Sequence, residues 1–182
     1  PADLPKFSQV TVIVESSHTP GTVYMTVARH KMGDYDPYVY RSTDLGSTWS
    51  RIDAGLPAGE FCRVVREDPN RQGLLYVGTE LGIHVSFDDG ASWQPLQANL
   101  PVSPIYDFVV KGTDLVVATH GRSFWILDDL TPLHQLRDEV IGGGKQLLRP
   151  RDAVRTPPHI SASWGGNPGG KVIAKTQSAW RR

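Results

Sequence analysis

The octapeptide pattern Ser-x-Asp-x-Gly-x-Ser/Thr-Trp occurs twice, forty-four residues apart, and this spacing constrains the fold more than any other feature of the chain. The first copy uses Ser42, Asp44, Gly46, Thr48 and Trp49, and the second Ser86, Asp88, Gly90, Ser92 and Trp93. Leu56-Pro57 follows the first copy as Leu100-Pro101 follows the second, again forty-four residues on. Self-similarity at such a period is the mark of a repeat architecture.

Short β-branched and aromatic runs surround both boxes. The first unit reads "QVTVIVE" (9–15), "TVYMTVAR" (22–29), "YVYRS" (38–42) and "TWSRI" (48–52). The second reads "FCRVVRE" (61–67), "LLYVGT" (74–79), "IHVSF" (83–87) and "SWQPL" (92–96). A third follows with "IYDFVVK" (105–111), "DLVVAT" (114–119) and "SFWIL" (123–127), its Thr119-His120-Gly121-Arg122 matching Thr79-Glu80-Leu81-Gly82. Alternation such as Val10, Val12, Val14 suits strands with one buried face. An antiparallel four-stranded unit of 40 to 44 residues is a propeller blade. A β-sandwich is the alternative, and regular repetition favours the propeller.

The expected architecture is therefore all-β, a β-propeller arc of about three blades, two with intact boxes. Blade one spans 8–57, blade two 58–101 and blade three 102–155, before an irregular tail at 156–182. In blade three the box is degenerate, with Asp128 aligned to Asp88, Ile126 at the serine position and Leu130 at the glycine position. "TPLHQLRDEVIGGG" predicts a short helix near 131–141, with Thr131 as N-cap, Pro132 in the first turn and Leu133, Leu136 and Val140 as its stripe. "KQLLRPRDAVR" (145–155) is the expected outer strand of that blade. Rings close with about four to eight blades, so three form an incomplete ring. Missing blades of a longer chain, or a second copy in a homodimer, would complete it.

Each box element has a local task. A carboxylate in a hairpin accepts hydrogen bonds from nearby amides. Gly46 and Gly90 supply positive φ, and Trp49 and Trp93 act as apolar wedges. A structural clasp thus accounts for the pattern without a substrate.

The pattern resembles the Asp-box, or bacterial neuraminidase repeat, of sialidases, xyloglucanase-type propellers and the sortilin ectodomain. "DLVVATHGRSFWILDDLTPL" (114–133) is similar to the last blades of large sortilin-like bacterial "glycosyl hydrolase BNR repeat" proteins. The resemblance covers roughly residues 9–155. It implies peripheral, structural boxes distant from a ligand cleft, and a family exported more often than not. It implies no sialidase chemistry: the arginine triad, tyrosine nucleophile and acidic partners of those enzymes match nothing here residue by residue. The paired aspartates of xyloglucanase-type enzymes also find no placement.

The hairpins between second and third strands lie at the end opposite the boxes. "RHKMGDYDP" brings His30, Lys31, Asp34, Tyr35 and Asp36, the second hairpin Glu80, and the third His120 and Arg122. Asp34, Asp36 and Glu80 are the catalytic candidates, since two suitably spaced carboxylates can cleave a glycosidic bond. His30, Tyr35, His120 and Arg122 are the ligand-binding candidates. The competing reading is of polar hairpins whose Glu80 and His120 bond neighbouring blades. Two functions follow: a non-catalytic module binding protein or carbohydrate, or a fragment of a glycoside hydrolase.

Other classes find little support. Nineteen basic and nineteen acidic residues, dispersed, give no field to recruit nucleic acid. No run approaches the roughly 18 apolar residues of a membrane span. "PADLPKF" has neither a signal peptide's basic start nor an initiator Met, as expected of a processed or trimmed end. "GGNPGGKV" (165–172) has Val172 where a phosphate loop needs Ser or Thr. The six His lack zinc spacing and Asp88-Asp89-Gly90 lacks a calcium series, so no metal or cofactor is expected. Cys62, the single cysteine, reads as a buried strand thiol.

Overall fold

A computed structural model describes residues 1, 3–136, 147–150 and the backbone of 180–181. Among the described residues it is all-β apart from one short helix and one 3-10 turn, with three four-stranded antiparallel sheets. The first sheet comprises β1 (Gln9–Glu15), β2 (Val23–Arg29), β3 (Asp34–Ser42) and β4 (Ser50–Arg51) in chain order. The second has β5 (Cys62–Glu67), β6 (Leu75–Thr79), β7 (Ile83–Ser86) and β8 (Gln94–Pro95). The third has β9 (Ile105–Lys111), β10 (Asp114–Thr119) and β11 (Phe124–Leu127), closed by β12 (Trp180–Arg181).

Apolar faces stack these sheets in sequence. Tyr24 and Val39 of the first pack on Cys62, Val65, Leu75 and Val77 of the second. The opposite face of the second sheet, with Val64, Tyr76, Ile83 and Val85, meets Ile105, Phe108, Leu115, Val117, Trp125 and Leu127 of the third. Gly78 is a point of close approach, since a Cβ there would lie 2.7 Å from Ile105 Cγ2 of the third sheet and 2.8 Å from Val64 Cγ1 of its own. Cys62 is buried, and burial raises its thiol pKa, so it packs as a small apolar group.

Several local expectations change. Val12 and Val14 pack inward but Val10 is exposed, because a bulge between Val10 and Val12 breaks the alternation. The helix α1 runs Thr131–Gln135, with Leu130 rather than Thr131 at the N-cap position. Asp129 supplies the cap one residue earlier, accepting from the Thr131 amide at 3.1 Å and from its hydroxyl. The remainder of the helix expected to 141, with Val140, lies outside the described residues. The fourth strand of the third sheet is β12, not 145–155; residues 147–150 form no strand and the rest of that stretch is outside the described residues. Most of the tail from 156 is outside them as well.

Candidate functional site

The two intact boxes close the third-to-fourth-strand hairpins by the same bonds. Asp44 Oδ1 accepts from the Thr48 amide (2.8 Å) and Ser42 Oγ (2.8 Å), and Oδ2 from Thr48 Oγ1 (2.7 Å). Asp88 repeats the set with the Ser92 amide (2.9 Å), Ser86 Oγ (2.7 Å) and Ser92 Oγ (2.6 Å). The serine hydroxyls in turn accept from the Gly46 and Gly90 amides, both at 2.8 Å. Both glycines have positive φ, +86° and +88°. The Thr48 amide and hydroxyl, then Ser42, bring the Asp44 carboxyl down to about 2. Burial pushes the Asp88 carboxyl up, but bonds from Ser92 and Ser86 outweigh it and the net shift is downward.

The tryptophans differ. Trp49 donates to Gly46 O within its own box (2.9 Å), whereas Trp93 donates across to Ile52 O of the preceding unit (2.6 Å). The second box also ties sheets through Asp89, which accepts from Tyr24 Oη and pairs with Arg41. Leu45 stands at the matching point of the first box, with the same φ of 58°.

The degenerate third box is displaced by one residue from its expected alignment. Thr79 N bonds Gly82 O, but Thr119 N bonds Ser123 O, so the third hairpin holds one residue more. Trp125 and Leu127 consequently take the core-facing positions of His84 and Ser86, and Asp129 rather than Asp128 matches Asp88.

At the opposite end, side chains from all three sheets form a connected strip. His30 stacks on Phe61 (centroids 4.5 Å, planes 20° apart), and Tyr35 approaches Phe61 at 6.2 Å. The Arg63 guanidinium lies 4.9 Å from the Phe61 centroid and 4.5 Å from that of Tyr106. Glu80 pairs with Arg63 at 2.5 Å, and Tyr106 meets His120 at 5.0 Å. Phe61 is buried, while Tyr35 and Tyr106 are 52% and 51% exposed. The strip therefore has a buried aromatic root and two solvent-facing phenol rings flanking a paired guanidinium.

Of the sequence candidates, His30, Tyr35, Glu80 and His120 join this strip. Asp34 does not: its carboxylate pairs with Arg29 and accepts from Tyr38 Oη (2.9 Å) and the Asp36 amide (3.1 Å). Burial raises the Asp34 pKa, but the Asp36 amide, Tyr38 and Arg29 together bring it below the usual range. The hairpin is also shorter than expected: Gly33 closes the 3-10 turn at His30–Met32 with φ 75°, so Asp34, Tyr35 and Asp36 begin β3. Asp36 and Arg122 are exposed, and Arg122 contributes its carbonyl to Trp125 Nε1 at 2.7 Å. Phe61, Arg63 and Tyr106 are additional members, drawn from inter-unit loops and first strands.

Among the described residues no three His, Cys, Asp or Glu side chains cluster to hold a metal ion, and no helix is long and apolar enough to cross a membrane. A cavity of about 210 Å³ lies apart from the strip, against β8 and α1, lined by apolar residues including Val85, Phe87, Leu133 and Leu136.

No protein-family model and no curated protein matches the chain. Solved structures do. An ancestral GH74 enzyme matches at TM-score 0.50 and 24% identity, over 63% of this chain and 14% of that one. The GH74 enzyme of Niastella koreensis matches at TM-score 0.51 and 16% identity, over 66% of this chain and 21% of that one. YCF48 from Cyanidioschyzon merolae matches at 0.49 and 18%, over 68% and 35%. The fold is that of β-propeller blades. The chain spans less than a quarter of the length of either GH74 enzyme.

Proposed function

We propose that this chain is a non-catalytic β-propeller module that binds a protein or carbohydrate ligand at its hairpin end. Its arc of blades is completed by self-association or by further blades. The observation that carries the reading is the strip from Tyr35 through Phe61, Arg63 and Tyr106 to His120, which spans all three sheets. Half-exposed tyrosines beside a fixed guanidinium offer flat apolar faces and directed donors, the chemistry that sugar rings and peptide side chains both use.

The carboxylates argue against hydrolysis. A glycosidase acid needs a raised pKa beside a second, ionised carboxylate. Asp34 is shifted the other way, and Glu80 is held in an ion pair. The alternative, a fragment of a glycoside hydrolase, draws on the fold shared with the GH74 enzymes.

Glycan and peptide arrays probed with the chain test the proposal. Tyr35→Ala and Tyr106→Ala are expected to weaken any captured ligand roughly fivefold each, the loss of a ring contact worth about 1 kcal/mol. Binding untouched by both substitutions removes the strip as the site. Turnover of aryl-glycosides or xyloglucan oligosaccharides that vanishes in Glu80→Gln or Asp36→Asn would instead establish the hydrolase reading.

A further inference from the structure

We infer that the free edge of the Arg63 guanidinium is a carboxylate subsite, and that the strip takes an extended peptide with an acidic residue between two apolar ones. The inference rests on the ligand-binding reading of the strip and names the chemistry of its partner.

Glu80 uses one edge of the guanidinium. Its Oε2 accepts from Arg63 Nε at 2.8 Å and pairs with Nη2 at 2.5 Å, so the carboxylate lies against the side edge that those two nitrogens share. The end edge is formed by Nη1 and the second hydrogen of Nη2. Nη1 has no hydrogen-bond partner among the described residues and is open to solvent, on a side chain 22% exposed. Two parallel N–H groups on such an edge match the two oxygens of a carboxylate, and hold them more tightly than a neutral acceptor. The edge is also fixed in advance. Ring contacts with Phe61 and Tyr106 orient the guanidinium and Glu80 pins its side, so little side-chain freedom remains to be lost on binding.

The rings on either side select the rest of the ligand. Arg63 belongs to the second sheet, Tyr35 to the first and Tyr106 to the third, so the cation sits between two half-exposed phenols. The Tyr106 centroid is 4.5 Å from the guanidinium. Tyr35 lies 6.2 Å from Phe61, itself 4.9 Å from the guanidinium, and so no more than about 11 Å away. An extended peptide sets alternate side chains on one face roughly 6.5–7 Å apart, a spacing that these two distances bracket. With an acidic side chain on the Arg63 edge, the second residue before it and the second after it reach the two tyrosines, the pocket-by-pocket reading of alternate side chains. Glu80 orients the cation but also repels an anion beside it, which gives its replacement a definite sign.

Calorimetric titration with two peptides tests this. Both are acetylated, amidated pentapeptides with leucine at each end and serine at the second and fourth positions; one has glutamate in the centre and the other glutamine. The glutamate peptide is expected to bind about tenfold more tightly, the difference between a charged and a neutral acceptor. Arg63→Lys keeps the charge without the two-pronged edge and should lose most of that preference. Glu80→Gln keeps an acceptor for Nε and should tighten the glutamate peptide several-fold while leaving the glutamine peptide unchanged. Circular dichroism checks that both variants fold, and should Arg63→Lys fail to, the sign of the Glu80→Gln effect decides alone. Equal binding of the two peptides, or no gain in Glu80→Gln, overturns the carboxylate subsite; if that binding still weakens in Tyr35→Ala and Tyr106→Ala, the strip stands as a binding site. Glucuronate bound where neither peptide binds overturns the peptide as partner, and a strip that captures neither peptide nor glycan overturns both readings.

Discussion

Tyr24 of β2 donates its phenolic hydrogen to Asp89 Oδ1 of the second box at 2.7 Å, while Arg41 of β3 pairs with Oδ2 of the same carboxylate. One residue of a hairpin clasp is therefore also a polar lock between the first two sheets. Burial, and then the bond to Asp89, raise the Tyr24 pKa, so the phenol stays a donor throughout the ordinary pH range.

Tyr24→Phe and Asp89→Ala should each lower unfolding free energy by about 1 kcal/mol, the net worth of one hydrogen bond. The Asp89 carboxylate is 39% exposed, which moderates the loss of its ion pair. Urea unfolding of the two single variants and the double variant should show a positive coupling, the double losing less than the sum. Strict additivity would mean that the contact contributes nothing to stability.

The box carboxylates predict an acid-labile clasp. Asp44 is held at about 2 in the fold, below its unfolded value near 3.9. A depressed folded pKa gives stability that is complete above the unfolded value and lost as pH falls through the folded one. Urea midpoints should therefore fall between about pH 4 and pH 2, with a shallower fall in Asp44→Asn and in Asp88→Asn. Ligand capture at the hairpin end by the folded variants at neutral pH should be unchanged, because both boxes lie at the other end of their sheets. Lost binding with an unaltered melting temperature would return the boxes to consideration as a binding site.

Gly78 predicts a packing failure. Alanine there places a Cβ within 3 Å of both Ile105 and Val64, side chains fully buried between the second and third sheets. Overpacking of this kind costs about 1–3 kcal/mol, more than the gain from removing a flexible glycine. Val64→Ala removes one of the two obstructing groups, so Gly78→Ala/Val64→Ala should be less destabilised than the sum of its parts. Thermal melts of the four proteins measure this directly.

The repeat made the three sheets legible because box, strand and hairpin recur at a distance that local pattern can register. The box bonds were legible too, since Asp44 and Asp88 find their partners within four residues. The strip was only half visible. His30, Tyr35, Glu80 and His120 sit at or beside hairpins, where polar residues attract notice. Phe61 and Arg63 read as an ordinary strand entry, and nothing local says that Arg63 reaches both Phe61 and Tyr106. Asp89 gave no signal beside Asp88, because its partners lie 65 and 48 residues away. One added residue in the third hairpin shifted the whole degenerate box, an error inherent in aligning by type when the turn length changes.

His84 predicts a second, milder pH effect. Its side chain is 7% exposed, Nδ1 has no hydrogen-bond partner among the described residues, and Nε2 is 4.0 Å from Glu60 Oε2. Burial pulls its pKa below the usual value, and the Glu60 charge offsets that only in part. The imidazole is thus more readily protonated in the unfolded chain than in the folded one. Its contribution is complete above about pH 6.5 and declines as pH falls from there through the folded pKa, by at most about 1.4 kcal/mol per pH unit. The difference in urea midpoint between pH 7.5 and pH 5 should therefore be smaller in His84→Leu than in the unaltered chain. Glu60→Gln should enlarge it, because the protonated ring then loses the Glu60 counter-charge. A pH dependence unchanged by either substitution would mean that His84 titrates alike in both states, and that the buried ring has another source of compensation.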